Sequence, residues 1–286
     1  MTKAEEAKKL AFQKALNHTM QHGKLDEAVF RKIHLIENNE GSRINCLLGL
    51  NSYAEANAIV AWFRDEDLTK FKEWSYLSAK LQRLEFQCNP IVWFAAYKLF
   101  YALLSDNSEL ISWYRQFHLP FSFNSGAVKD RDNPRQPEFH AYQALLALKG
   151  EWDELRQRCE LILSTDLKKD KKYLIDHRFY LALANGDKNE MENVLAELTS
   201  PKIARVRNYG MAFAFTEHFI STFATLYAKL AWMWGYELEM DTLFIPKEWL
   251  PIAPLETYPE PWDFMKDFEI FTPLDAPWTQ FSPIKK

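Results

Sequence analysis

The sequence predicts an all-α protein: stacked helical hairpins, tetratricopeptide-like but irregular, with a proline- and aromatic-rich C-terminal tail packed on the domain. Three observations carry this expectation. Glycine is scarce, 8 in 286 residues, where about 7% is usual; doubly wound nucleotide-binding folds and compact sandwiches need glycine for tight turns and close approaches. Apolar residues recur at helical spacing along most of the chain. A polar turn followed by an acidic helix start occurs four times. With 48% apolar and 15% aromatic residues, the chain buries a large core without disulfides or metal, and wholesale disorder is excluded.

The first 38 residues form two amphipathic helices broken at His22-Gly23. Leu10, Phe12, Leu16 and Met20 mark one face, and Leu25, Val29, Ile33 and Ile36 the next. Asn38 to Ser42 is a turn. A helix from Ile44 to Phe63 carries Ala54, Ala56, Ala58 and Ala61, small residues suited to close packing. Four windows then align: Ala61–Leu68, Leu103–Leu110, Leu148–Leu155 and Ala184–Met191. Each follows an apolar stretch and opens a second helix through acids, which satisfy orphan N–H groups and complement the helix dipole. Gly150 and Gly186 stand where a helix end wants a left-handed residue. The windows start 42, 45 and 36 residues apart, the range of helix-hairpin repeats.

Pro120 to Pro137 has no apolar period, and a loop of that length is usually functional or mobile. Met211 to Trp234 is apolar on nearly every face and is expected as one central helix. Beyond it, eight of the 13 prolines fall between Pro246 and Pro283, among many aromatics. Helices cannot run far through such proline density. The chain therefore divides into a single helical domain, 1–245, and an extension, 246–286, packed on it.

The formal charge of −4 argues against a nucleic-acid partner. Ten acids against four bases follow Gly235, a net −6 that leaves +2 on the first 234 residues. Cys46, Cys88 and Cys159 are odd in number and widely spaced, as expected of free thiols in a reducing compartment. The charged first ten residues hold no apolar signal-peptide core, and no stretch is long enough to span a bilayer, so a cytoplasmic protein without a membrane partner is expected.

No phosphate-binding glycine loop, GxSxG elbow or HExxH motif occurs. His18 and His22 share a helix face without a third ligand, so they are expected as surface histidines and no metal or cofactor is expected. Glu217-His218 lies in the most apolar stretch and is expected as a packing pair, with catalytic acid–base use as the alternative. Cys159 is expected as a buried thiol, His140 and His177 as capping or interface residues, and Asp65-Glu66-Asp67 as helix capping. Lys168–Lys172 and Lys202–Arg207 are expected as solvated helix ends. A hairpin scaffold without a catalytic set works by binding, so no enzyme is expected.

The run Tyr142–Leu155, the run Phe179–Asp187 with its Asn-Gly-Asp turn, Ala228–Asp241 and Ile245-Pro-Lys-Glu-Trp-Leu250 together resemble the immunity protein 49 family of bacterial polymorphic toxin systems. That family places two Ala/Leu-rich, Gly-Asp hairpins before a last helix ending in Gly, an acidic stretch and a proline-led motif. The resemblance spans about residues 90–260; Ser105-Asp106 departs from Gly-Asp in the earlier hairpin. It implies an antitoxin that binds and blocks a cognate toxin domain delivered by a neighbouring bacterium. An acidic margin would mimic the phosphate path of a nuclease-type toxin. The candidate surface is Glu237, Glu239, Asp241, Glu256, Glu260 and Asp263, with Trp249, Tyr258 and Trp262 as anchors. A tetratricopeptide-like adaptor for short peptides is the alternative.

Overall fold

The structure, a computed structural model, describes residues 3–88, 95–117, 131–165 and 171–274. Among the described residues there are thirteen α-helices, four short 3₁₀ turns and no strand. α1 (Lys3–His22) and α2 (Glu27–Glu37) meet at the expected break, and both pack on α3 (Arg43–Phe63). α3 runs against α4 (Leu68–Cys88), and three further hairpins follow: α5 (Phe100–Leu104) with α6 (Ser108–Gln116), α7 (Pro137–Lys149) with α8 (Trp152–Ser164), and α9 (Leu174–Asn185) with α10 (Lys188–Leu198). α11 (Pro201–Arg207) leads to α12 (Thr222–Met233), which touches both α5 and α10 and so ties the second hairpin to the fourth. The short α13 (Asp263–Lys266) lies in the C-terminal extension.

All four windows are hairpin corners; a side chain caps the second helix at three of them, and at the third corner Glu151 makes no side-chain cap bond to α8. Asp67, Asn107 and Asp187 accept from the N–H groups of Lys70, Leu110 and Glu190 at 2.9, 2.9 and 3.0 Å, capping α4, α6 and α10. Each corner also holds one left-handed residue: Glu66, Asp106, Gly150 and Gly186, with φ of 53°, 57°, 79° and 69°. Gly150 is obligatory, because a Cβ there would lie 2.7 Å from the Trp234 ring. Among the described residues no helix is long and apolar enough to cross a membrane.

The expected helix Met211–Trp234 is corrected: only Thr222–Met233 is α-helical, and Thr216–His218 forms a 3₁₀ turn. Polar side chains compete for the backbone here. Thr216 Oγ1 donates to the Phe213 carbonyl at 2.6 Å, Phe215 is left-handed, and Asn208 Oδ1 accepts from the Phe223 N–H at 3.0 Å, capping α12. α4 is buried almost without interruption from Phe71 to Gln87. Residues 120–130 of the long loop Pro120–Pro137 lie outside the described residues, as do residues 168–170 of the lysine run and the tail from 275 onward.

Candidate functional site

One face of α4 determines where the extension lies. Lys72, Tyr76, Lys80, Arg83 and Gln87 are spaced three or four residues apart and form a single stripe. From one end to the other they hold the returning chain. Lys72 Nζ donates to the Ala253 carbonyl, Tyr76 OH and Lys80 Nζ hold the Glu260 carboxylate, and Arg83 Nε donates to the Ile270 carbonyl at 2.9 Å. Arg83 Nη2 reaches the Thr272 carbonyl at 2.6 Å, and Gln87 Nε2 the Pro273 carbonyl at 2.9 Å. Prolines keep the extension from regular hydrogen bonding outside its short helical turns, and side chains of α4 satisfy the carbonyls of residues 253, 270, 272 and 273.

The deepest fastening is at the second hairpin corner. Asp106, 2% exposed, lies 2.8 Å from Lys72 Nζ and 2.6 Å from Lys229 Nζ of α12. Lys229 also donates to the carbonyls of Trp249, Leu250 and Pro251 at 2.9, 3.1 and 3.0 Å. Burial lowers the Lys229 ammonium to about 8 against the opposing pull of Asp106, and burial lowers the Arg83 guanidinium to about 10.

The nine predicted surface residues therefore separate. Trp249 is corrected: it is 0% exposed, stacked on Phe71 at 4.0 Å between ring centroids and walled by Trp62, Phe63 and Phe100, so it anchors the extension to the core. Tyr258 donates to the Ser105 carbonyl at 2.7 Å, and Glu260 is spent on Lys80 and Tyr76. Both serve internal packing, and Trp262 is half-buried against Phe264. Glu237, Glu239, Asp241, Glu256 and Asp263 are exposed, with Asp263 paired to Lys266 at 2.7 Å.

Two of the exposed acids share a site. The Glu239 N–H donates to Glu192 Oε1 at 2.8 Å, and Glu192, Glu239 and Asp241 line a cleft of about 520 Å³ between α10 and the 235–244 loop. Leu243, 94% exposed, forms its lip. On the other side of Leu243 and Phe244 lies a concavity of about 740 Å³, with Phe12, Phe63 and Phe219 in its lining and four bases on its walls. The chain thus presents an acidic cleft and a basic trough on either side of one apolar ridge.

Compared with protein-family models, with curated proteins and with solved structures, the chain matches none.

Two further titratable clusters are internal. His140 Nδ1 and His177 Nε2 lie 2.8 Å apart, and His177 Nδ1 is 3.8 Å from Cys159 Sγ, a neighbour that sequence spacing alone does not show. Burial pushes the Cys159 thiol up to about 12 and, with His140 adding to it, holds the His177 imidazole well below its ordinary value. A neutral thiol beside a neutral imidazole, both 0% exposed, is core packing rather than an activated nucleophile. Arg207 departs from the expected solvated helix end: its Nη2 holds both oxygens of buried Asp176 at 2.9 and 2.8 Å. Tyr227 OH donates to the same carboxylate at 2.8 Å. Glu217-His218 sits in the 3₁₀ turn with Glu217 4% exposed. Among the described residues no group of three or more His, Cys, Asp or Glu could hold a metal ion.

Sequence reasoning missed the α4 stripe and the basic walls. The stripe is visible in the sequence only as five long polar side chains at three- and four-residue spacing, the same pattern that a solvated helix face has. The walls have no signal, because Lys8, Lys9, Lys202 and Arg205 come from segments about 190 residues apart and only folding brings them together.

Proposed function

We propose that this chain is an immunity protein, a non-catalytic binder that occludes the active or substrate-binding surface of a cognate toxin domain in the bacterial cytoplasm. The observation that carries the reading is the acidic cleft of Glu192, Glu239 and Asp241 with Leu243 at its lip. An exposed leucine beside clustered carboxylates has the composition of a contact surface for a basic folded partner: an apolar anchor surrounded by charge that steers association. Glu237, on the same loop, extends the acidic field. The resemblance of residues 90–260 to immunity protein 49 supplies the biological setting.

The test is co-expression with the C-terminal domain of any large secreted protein encoded immediately upstream. Rescue of growth with a stoichiometric complex is expected, and Glu239→Lys with Asp241→Lys should abolish both while leaving the fold intact. Rescue that survives those reversals at low and at high salt would refute the cleft as the contact surface. Absence of both rescue and complex would refute the function.

A further inference from the structure

The trough on the far side of Leu243 has two basic walls over an apolar floor. Lys8 and Lys9 of α1 stand on one wall and Lys202 and Arg205 of α11 on the other, all four exposed. Between them Phe12, Phe63 and Phe219 pack together, with ring centroids 4.9 Å apart for Phe12–Phe219 and 4.5 Å for Phe63–Phe219. The trough continues past Ala11 and His218 into a second concavity of about 440 Å³ that includes Leu10 and Phe215. Both are exposed apolar side chains, at 55% and 39%. One group in the lining is unsatisfied: Glu217 is 4% exposed, and its Oε2 has no hydrogen-bond partner among the described residues. Its other oxygen is 3.7 Å from His218 Nε2. A buried polar atom left unpaired costs free energy unless a ligand supplies the missing donor.

We propose that this trough seats an acidic amphipathic helix of a partner protein. The helix lays its apolar stripe on Phe12, Phe63 and Phe219 and sets carboxylates against both walls. A helix with acids on either flank of an apolar stripe has this cross-section. An extended segment alternates its side chains between floor and solvent and leaves one wall unmatched, and the helical walls offer no free backbone ladder for it to join. The single carboxylate of an acyl chain would meet one wall only. The unpaired oxygen of Glu217 requires one hydrogen-bond donor, such as Gln or Asn, within the stripe. The inference stands on the trough alone and holds whether or not the partner of the acidic cleft is a toxin.

The test titrates the full chain into three probes. The first is a fluorescein-labelled peptide of about 18 residues with a Leu/Phe stripe, one Gln in it, and Glu on both flanks. The second keeps the stripe and carries Lys on the flanks, and the third is dodecanoate. The Glu-flanked peptide is expected to bind at least about tenfold tighter than the Lys-flanked one, and to weaken as salt rises from about 50 to about 300 mM. The double variant Lys202→Glu/Arg205→Glu should weaken it about tenfold or more; both residues are solvent-exposed, so an unchanged circular dichroism spectrum is expected. Equal binding of the two peptides, no binding of the acidic one, or affinity unchanged in the double variant would overturn the proposal. So would displacement of the peptide by dodecanoate, which would reassign the trough to an acyl ligand.

Discussion

Replacing Lys229 by Met removes the centre of the extension's anchorage and nothing else of similar size. The Nζ atom is lost from an ion pair of 2.6 Å with Asp106, both side chains 0% exposed, and from three carbonyls at 2.9–3.1 Å. Breaking a buried pair by deleting one partner costs about 3–5 kcal/mol, because the survivor is left uncompensated. Lys72 still neutralises Asp106 at 2.8 Å, which favours the lower end of that range. For a chain of this size about 3–5 kcal/mol is a fall in Tm of roughly 6–20 °C. Thermal and urea unfolding, followed by circular dichroism, read it directly. The cycle Asp106→Asn, Lys229→Met and the double variant should show a coupling of about 1–3 kcal/mol, since the two share one network. The pH dependence has a fixed sign. Burial lowers Lys229 to about 8 from an ordinary 10.5, so between those values the unfolded chain holds the extra proton and this group's contribution to stability rises with pH. The gap between wild type and the Met variant should widen across that window. A loss under about 1 kcal/mol, additive singles, or a gap that narrows with pH would refute the reasoning.

Three further outcomes follow from the same geometry. Trp249→Ala should cost about 3–5 kcal/mol by denaturant unfolding, as for a large ring lost from a closed core; a stable, well-folded variant impaired only in partner binding would restore Trp249 as a surface anchor. Gly150→Ala should cost more than the roughly 1–3 kcal/mol of a left-handed non-glycine residue, because its Cβ also meets the Trp234 ring, which is fixed by a 2.9 Å bond from Nε1 to the Ala147 carbonyl. Gly210→Ala, also left-handed but with open space around the Cβ, is the control and should show the conformational cost alone. Glu55, half-buried and accepting from Asn51 at 3.0 Å, is raised to about 8 by burial. The folded state therefore holds an extra proton between pH 4.5 and about 8, and stability from this group is lost as pH rises through that range. Glu55→Gln should be close to neutral at pH 5 and stabilising by about 1–3 kcal/mol near pH 9, measured as the difference in urea midpoints.

The hairpin corners were legible because local chemistry alone determines them. A left-handed glycine at 150 or 186, or a side-chain cap at 67, 107 or 187, acts within a few residues and leaves a mark in the sequence. The stretch 211–221 was misjudged because hydrophobicity is a weak guide where helix and turn are equally apolar; Asn208, Gly210 and Ser221-Thr222 were the competing signals. α4 was illegible as a buried helix because lysine, arginine and glutamine at helical spacing suggest a solvated face. Their partners, the carbonyls of residues 253, 270, 272 and 273, lie more than 180 positions away. The acids of the 235–244 loop were correctly placed at the surface, whereas their cleft depends on Glu192, 47 residues earlier than Glu239.

The acidic cleft and the α4 stripe are connected by the chain itself. The 235–244 loop leaves α12 six residues after buried Lys229 and returns to the core at Ile245 and Trp249, 2% and 0% exposed. Both ends are therefore fastened, and Lys229 fastens them to each other through the carbonyls of 249–251. The ordering cost of presenting Glu239, Asp241 and Leu243 is thus met during folding rather than at association. It follows that the anchorage and the contact surface are coupled without touching. At a temperature where Lys229→Met remains folded, the far end of the loop keeps the burial of Ile245 and Trp249 but loses the ammonium that ties it to α12, and affinity for any partner of the cleft should fall although no contacting residue has changed. The peptide of the basic trough approaches α1 and α11 instead, and its affinity should be affected far less. A variant that weakens both surfaces equally would mean that the substitution has loosened the whole fold, and the coupling argument would be lost.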